Sequence, residues 1–312
     1  MVAFILRPDS PEIPPPYEFP GIRMFSFRLP AKLSKLQKLC DDWLNIGTLF
    51  DRGFEYRAFL PFVDMELLTY PKMEFAEAPY SNWGFASQQE LYFRFFVWRF
   101  VYAGGIMLPV PAPELFFPYL FVDNSWSMIS GRNVIGFPKV MARFERPSNS
   151  AGTPFPIVAS TLVLATHQPT THLDWRPFVT INSGGGSTMP IPAGSWPWIE
   201  LATTDPLFEL LLEAFEAALP EVFSTVQLKQ FRDAPSVTGA CYQAIVSTPF
   251  SPSKIGNLEP LPAATVTIKS YASLDIPKAL GIPANTPITP ALQYSVGLDM
   301  KMVGATNLFV NG

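Results

Sequence analysis

The stretch FVDNSWSMISGRNVIGFPKVMARFE, residues 121–145, contains a single lysine that directly follows a proline. This residue, Lys139, has apolar neighbours on both sides, namely Ile135, Phe137, Val140 and Met141. Apolar surroundings disfavour the charged form of an amine, and a neutral amine is a nucleophile that can form a Schiff base with a ketone. The alternative is a lysine at a strand end whose stem covers apolar surface while its ammonium reaches water.

Outward from this stretch, short apolar or alternating runs dominate the chain. Such runs predict strands over residues 21–27, 55–68, 90–102, 115–122, 157–166, 178–182, 239–247, 264–270 and 292–302. Apolar residues spaced by three and four predict two amphipathic surface helices, over 30–45 and 205–219. The prediction is a β-dominated α+β fold: an antiparallel β-barrel or packed sheets that enclose an apolar pocket, in a single domain over residues 1–312.

Proline is frequent, with 34 residues spread along the chain. A proline cannot donate a hydrogen bond to a neighbouring strand. We therefore expect an irregular connection that contains Pro109, Pro111, Pro113 and Pro118.

The composition excludes several classes of protein. With 48% hydrophobic and 15% charged residues, the chain is too apolar to be disordered. A net charge of −4 leaves no excess of cations for nucleic acid. Arg94 and Arg99 interrupt the most apolar stretch, so we expect no membrane span. Two distant cysteines, Cys40 and Cys241, and a start without signal-peptide features favour a cytoplasmic protein.

Few residues offer metal or phosphate chemistry. His167 and His172 precede Asp174, but no helix aligns them and no third ligand has a diagnostic spacing. We expect both imidazoles to be solvated in a turn. The glycine run at 184–186 lacks the Gly-Lys-Ser/Thr ending of a phosphate loop. The expectation is therefore that the protein uses no metal and no cofactor.

The stretch that contains Lys139 resembles the lysine motif of the acetoacetate decarboxylase superfamily. In that motif an aspartate-asparagine pair, a glycine-arginine pair and an aromatic-proline-lysine triplet occur at fixed spacing. Here they are Asp123-Asn124, Gly131-Arg132 and Phe137-Pro138-Lys139. This decarboxylase is itself the established example of a lysine activated by desolvation or by a cationic neighbour. The resemblance implies that Lys139 forms the Schiff base.

A weaker likeness extends over residues 19–307 and supplies further candidates. Glu90 precedes an apolar strand, as a glutamate does in the family, and Glu66 lies on a second strand with a similar pattern. Both are predicted catalytic residues that orient the substrate or shuttle protons. Arg132, Phe137 and Phe93 are predicted to contact the substrate, although Arg132 is also suited to holding its own loop.

Two positions depart from the family's type member. Val140 stands where that member has a second lysine, so no adjacent ammonium assists Lys139 and burial must act alone. Pro20 stands where an arginine would suit a carboxylate substrate. Without that arginine the resemblance does not by itself imply a small β-keto acid, so the expected substrate class is wider: a β-keto acid or a related carbonyl compound.

The leading hypothesis is a cofactor-free lyase that decarboxylates such a substrate. An aldolase-dehydratase that condenses a keto acid with an aldehyde would use the same lysine chemistry. A non-catalytic barrel that holds an apolar small molecule is the third hypothesis. The resemblance also implies a homo-oligomer. We expect Lys139→Ala to abolish turnover and to leave the fold intact, because removing a buried amine leaves only a small cavity.

Overall fold

The computed structural model describes residue 5 and residues 11–146, 154–184, 223–236 and 238–311. Its strands are β1 Tyr17–Pro30, β2 Phe54–Ala58, β3 Phe62–Phe75, β4 Phe85–Ala103, β5 Ile106–Pro109, β6 Glu114–Val122, β7 Lys139–Glu145, β8 Ile157–Val163, β9 Asp174–Ser183, β10 Phe223–Arg232, β11 Ala240–Ile255, β12 Glu259–Pro260, β13 Ala264–Ile268, β14 Leu292–Met302 and β15 Thr306–Val310. The α-helices are α1 Leu33–Trp43, α2 Leu49–Arg52, α3 Ser125–Ser130 and α4 Ile276–Leu280. The predicted β-dominated α+β class is confirmed.

Each predicted strand segment overlaps an observed strand; the segment 292–302 has the bounds of β14, and the other segments differ from the observed strands at one or both ends. The segment 55–68 divides into β2 and β3 around Pro61, which cannot supply a ladder donor. The first predicted helix is confirmed as α1, which buries Leu36, Leu39 and Cys40. The second, over 205–219, lies outside the described residues. No helix in the described part of the chain is long and apolar enough to cross a membrane.

Seven strands pair in a closed cycle around a cavity. The cycle runs from β4 to β6, β10, β11, β14, β1 and β3, and β3 pairs with β4 again. Most pairs are antiparallel, but β6 runs parallel to both β10 and β7. The sheet is therefore mixed, with antiparallel pairs predominating as expected and two parallel pairs at β6.

The parallel pair β6 and β7 has a structural consequence for the lysine motif. Parallel neighbours need a crossover connection, which usually contains a helix. Residues 123–138, with α3, supply that crossover, and Lys139 is the first residue of β7. The residues that resemble the superfamily motif therefore span the crossover and end at the first residue of β7.

Pro109 is the last residue of β5 and Pro118 lies within β6, so the predicted place of these two in a connection is wrong, whereas Pro111 and Pro113 do lie between β5 and β6. Leu115 and Phe116 pair with β10, while residues 120–122 pair with β7. The pairing with β4 also shifts register at this point. Pro118 occupies the gap between these pairings, where no ladder hydrogen bond is needed.

Two apolar clusters lie on opposite faces of the strands. One includes Phe19, Leu68, Phe117, Phe137 and Met302 and lines the cavity within the cycle. The other packs α1 and the strands β8, β9 and β13 against the outer face of β1, β3 and β4. Side chains of a strand alternate between its two faces, so residues two apart along β3 and β4 point into the same cluster.

Candidate active site

The aspartate-asparagine pair fixes the start of the crossover. The Asn124 side chain caps α3, because its Oδ1 accepts hydrogen bonds from the backbone N–H groups of Trp126 and Ser127 at 2.9 and 3.2 Å. Its amide also donates to the Ser87 carbonyl at 3.0 Å. Asp123 Oδ1 accepts from the backbone N–H of Gln89 at 2.7 Å. These bonds tie the start of α3 to β4 beside Glu90.

The glycine-arginine pair positions the lysine from two sides. Gly131 begins a π-helical turn over Gly131–Ile135, and a Cβ at Gly131 would lie only 2.7 Å from Cδ and Cε of Lys139. A larger residue at this position would displace the Lys139 side chain, because the lysine stem passes directly against the backbone. Arg132 is exposed, and its Nη1 donates to the Lys139 carbonyl oxygen at 2.9 Å. Arg132 thus holds the backbone of Lys139.

The Lys139 amine lies inside the protein and contacts two polar groups. Nζ lies 2.7 Å from Oε2 of Glu90 and 2.9 Å from Oγ of Ser127. The Lys139 and Glu90 side chains are 9% and 6% exposed. Nζ also lies 6.0 Å from the ring centroid of Phe137, a distance at the limit of a cation–π contact. The amine is therefore held by one carboxylate and one hydroxyl, shielded from bulk water.

Glu90 has a second partner on the neighbouring strand. The Tyr70 hydroxyl donates to Oε1 of Glu90 at 3.3 Å. Burial, followed by the charge of Glu90, raises the pKa of Tyr70 well above its usual range. Tyr70 therefore stays protonated and remains a donor, while the other oxygen of Glu90 faces the lysine. Each of the two carboxylate oxygens of Glu90 therefore has a hydrogen-bond partner that orients it.

A second ion pair lies in the same cavity. Oε1 of Glu66 lies 2.5 Å from Nη2 of Arg94, and Arg94 in turn lies 3.9 Å from Asp64. Burial lowers the pKa of Arg94, but the charges of Glu66 and Asp64 outweigh this effect and the pKa is raised overall. Arg94 is therefore a permanent cation whose charge is balanced by carboxylates. Its Nε is buried without a hydrogen-bond partner.

These groups share a cavity of about 150 Å³. Its polar lining includes Lys139, Glu90, Ser127, Tyr70, Glu66, Arg94, Tyr92 and Tyr294, and most other lining side chains are apolar. The described residues thus form a mainly apolar chamber that contains an amine, two carboxylates, a guanidinium and hydroxyl groups. Such a chamber is the usual form of a small-molecule site.

The structure brings together most of the predicted site residues. Lys139, Glu90, Glu66 and Phe137 all line the cavity. Arg132 and Phe93 are not among its lining residues, so a substrate in this cavity would not touch them. Phe93 is fully buried in the outer cluster because it lies an odd number of residues from Glu90, and an odd spacing on a strand points to the opposite face.

Four cavity residues were not predicted as contacts of the lysine or its partners. Ser127, Tyr70 and Arg94 lack a local sequence signal, whereas Gly131 belongs to the quoted motif without a role in the prediction. Val140, which replaces the family's second lysine, is 40% exposed and follows Lys139 directly on β7. Adjacent strand residues face opposite sides, so position 140 does not direct a side chain toward the amine.

The described residues contain no cluster of three or more histidine, cysteine or acidic side chains with the geometry of a metal site. His167, His172 and Asp174 are all exposed, as expected for a solvated turn.

Comparisons with known proteins agree with the motif. The family model described as acetoacetate decarboxylase matches residues 8–152. A search of curated proteins finds no match. Among solved structures, the acetoacetate decarboxylase from Legionella pneumophila subsp. pneumophila str. Philadelphia 1 is similar, with a TM-score of 0.56 at 15% identity, over 96% of this chain and 88% of that chain.

Two further structures are similar along nearly the whole chain. A structure of acetoacetate decarboxylase has a TM-score of 0.55 at 11% identity, over 97% of this chain and 93% of that chain. An acetoacetate decarboxylase-like enzyme from Sphingomonas wittichii RW1 has a TM-score of 0.55 at 13% identity, over 99% of both chains. At these identities the likeness shows a shared fold. Residues 8–152, which include Lys139 and its crossover, match the acetoacetate decarboxylase family, and the resemblance stated from the lysine motif is confirmed.

Proposed function

We propose that the protein is a lyase in which Lys139 forms a Schiff base with a β-keto acid, which then loses carbon dioxide. The observation that carries the proposal is the position of the Lys139 amine, inside a mainly apolar cavity and within hydrogen-bond distance of Glu90 and Ser127. An amine there is shielded from water and has a proton acceptor beside it. The family match over residues 8–152 supports the same reaction.

The first step requires a neutral amine. Transfer of one proton from Nζ to Oε2 of Glu90 converts the ion pair into two neutral groups. The Nζ lone pair then attacks the carbonyl carbon, and the carbonyl oxygen receives one proton from nitrogen and one from Glu90. This oxygen leaves as water, so that a protonated iminium remains beside an ionised Glu90, which stabilises its charge.

The iminium then accepts electrons from the bond that breaks. The bond between the α-carbon and the carboxylate cleaves, its electron pair forms a carbon–carbon double bond, and the iminium π pair moves to nitrogen. Carbon dioxide leaves, and the resulting enamine takes a proton from solvent at the α-carbon. Water adds to the iminium and releases the ketone, which restores the Lys139 amine. Ser127 keeps Nζ in place through this cycle, because its hydroxyl can both donate and accept.

Borohydride trapping tests the proposal on the intact protein. With acetone present, hydride adds to the iminium carbon and leaves an isopropyl group on the lysine. We expect mass spectrometry to find this adduct on the peptide with Lys139. Lys301 is the matched internal control, because it also pairs with a glutamate, Glu18, at 3.0 Å but is 45% exposed. An unmodified Lys139, or equal labelling of both lysines, would contradict the proposal.

Product analysis distinguishes decarboxylation from the alternative aldol condensation and dehydration. A decarboxylase releases carbon dioxide from a β-keto acid in step with ketone formation. An aldolase-dehydratase instead yields a longer unsaturated keto acid from two carbonyl compounds. If the unsaturated keto acid forms and borohydride still labels Lys139, the Schiff base is retained but the proposed decarboxylation is wrong.

Glu90→Gln should slow Schiff-base formation by at least about 10²-fold near neutral pH, since an amide cannot accept the proton from Nζ. The loss should shrink as pH rises, because solvent then removes the proton. Tyr70→Phe is the matched control: it removes one hydrogen bond to Glu90 and keeps the carboxylate, so we expect a much smaller loss. The measurement is the rate of acetone trapping between pH 6 and about 10. A Glu90→Gln rate equal to that of the unaltered protein would exclude Glu90 as the proton acceptor.

A further inference from the structure

Residues 11–17, which lead into β1, are hydrogen-bonded to the crossover that positions Lys139. The Ser130 Oγ accepts a hydrogen bond from the backbone N–H of Ile13 at 3.1 Å, although the two residues are 117 apart in the sequence. The same hydroxyl donates to the Pro11 carbonyl oxygen at 2.9 Å. Ser130 is the last residue of α3 and is 2% exposed. Because a hydroxyl both donates and accepts, one buried side chain ties two backbone groups of this segment to the end of α3.

Segment 11–17 also packs against the crossover through apolar side chains. Ile13 is 1% exposed and belongs to the same cluster as Ile135 and Phe137, two crossover residues that line the cavity. The Tyr17 hydroxyl donates to the Ile13 carbonyl oxygen at 2.5 Å. Burial raises the pKa of Tyr17 above its usual range, so this hydroxyl remains a donor. The segment is therefore held at Ile13 by both polar and apolar contacts.

The residue that follows Ser130 connects this segment to the reacting amine. The Gly131 carbonyl oxygen accepts hydrogen bonds from the backbone N–H groups of Gly136 and Phe137 at 2.9 and 3.0 Å. A Cβ at position 131 would lie 2.7 Å from Cδ and Cε of Lys139, so the lysine stem lies directly against Gly131. A shift of Gly131 therefore displaces both the turn that precedes Lys139 and the stem that carries its amine.

We propose that Ser130 is a positioning residue through which segment 11–17 holds the Lys139 amine at Glu90. This inference rests on the proposed function and adds to its site a segment that does not contact the amine. Of residues 11–17, only Tyr17 is among the lining residues of the cavity in the described structure. Without the segment the Ser130 hydroxyl loses both backbone partners, and the end of α3 can shift relative to Glu90 on β4.

Ser130→Ala tests the polar contact. Alanine leaves the buried Ile13 N–H without its acceptor, which favours release of segment 11–17 from the crossover. The maximal rate of acetone trapping should fall at least about tenfold, because the amine is displaced. The acetone concentration for half-maximal rate should change little, since Ser130 does not line the cavity. Ser273→Ala is the matched control and should keep the rate: its Oγ also accepts from a distant backbone N–H, that of Leu164 at 2.8 Å, outside the cavity lining.

Ile13→Ala weakens the apolar contact and leaves the sequence of the crossover unchanged. It should also slow trapping at least about tenfold, whereas Ile13→Val, which keeps most of the packing, should slow it much less. Ile181→Ala is the matched control, because Ile181 is 0% exposed but lies in the outer cluster. It should lower stability without changing the trapping rate of the folded protein. A purely structural role of Ile13 would give the same result as this control.

Hydrogen exchange shows whether the effect passes through the crossover. In both Ser130→Ala and Ile13→Ala the amides of Gly136 and Phe137 should exchange faster, since both donate to one carbonyl oxygen at the start of the π-helical turn. Trapping at the unaltered rate in either folded variant, or slow trapping with unchanged exchange at these amides, would overturn the inference and leave the proposed Schiff base intact. Failure of the unaltered protein to trap acetone would instead overturn the proposed function, and this inference with it.

Discussion

Replacing Lys139 with alanine is expected to abolish turnover and ketone trapping, and also to lower the free energy of unfolding by about 3–5 kcal/mol. Activity is lost because no other amine lies among the lining residues of the cavity. Stability is lost because the carboxylate of Glu90, 5% exposed, would keep only the Tyr70 hydroxyl as a described partner. A buried carboxylate without its cation is strongly disfavoured.

From the sequence alone, Lys139→Ala is expected to leave the fold intact, because only a small cavity forms. The contact between Lys139 and Glu90 adds the cost of an unpaired buried carboxylate. The sequence does not show that Glu90 lies 2.7 Å from the amine, so it does not show which charge would remain. Urea denaturation at pH 7 measures the effect.

The double variant Lys139→Ala, Glu90→Gln separates the charge from the cavity. It also lacks the amine, but it leaves a neutral amide in place of the carboxylate, and it should regain most of the lost stability while remaining inactive. Lys301→Ala breaks an exposed pair and should change the unfolding free energy by less than about 1 kcal/mol. If the double variant is no more stable than Lys139→Ala, the destabilisation comes from lost packing and the charge argument is wrong.

The strands with strong apolar alternation are predictable from the sequence, whereas β5, β7, β10, β12 and β15 lie outside every predicted segment. Of these, β7 and β10 pair with β6. β7 places Arg143 and Glu145 among apolar residues, and β10 mixes polar with apolar side chains over FSTVQLKQFR. Both strands pair with β6, which lies far from β10 in the sequence. Their structure therefore depends on a partner strand that no local pattern reveals. The same holds for the parallel direction of these pairs.

Some residues of the candidate site can be found from the sequence, and others depend on tertiary structure. Lys139 and Glu90 are found through local patterns that resemble a family. Tyr70 reaches Glu90 only because Leu68 pairs with Glu90 in the register between β3 and β4, which places Tyr70 diagonally opposite. Ser127 lies beside the amine because the Asn124 cap fixes the first turn of α3, which contains Ser127. The choice of Phe93 as a contact is the exception, because its odd spacing from Glu90 already indicates the opposite face of the strand.

Gly131→Ala is expected to slow Schiff-base formation by about 10²-fold, the scale expected when a reacting group is misplaced by about 1 Å. The backbone at Gly131 is helical, with φ −62° and ψ −40°, so alanine introduces no backbone strain. Alanine is also the better helix former, by about 1 kcal/mol. The added Cβ would lie 2.7 Å from Cδ and Cε of Lys139 and 3.4 Å from Nζ. Lys139 must therefore move, which disturbs its contacts with Glu90 and Ser127.

The same substitution in the Lys139→Ala background isolates this contact. Without the lysine stem the new methyl group has space, so Gly131→Ala should stabilise that variant by up to about 1 kcal/mol through helix propensity. In the unaltered background the gain should be smaller or reversed. The difference between the two effects measures the coupling of residues 131 and 139. This expectation is wrong if Gly131→Ala changes the unfolding free energy equally with and without Lys139 and if the single variant Gly131→Ala traps acetone at the unaltered rate. Lys139 would then not depend on the space left by glycine. A coupled pair with a slow trapping rate would instead identify Gly131 as the residue that allows the amine to reach Glu90.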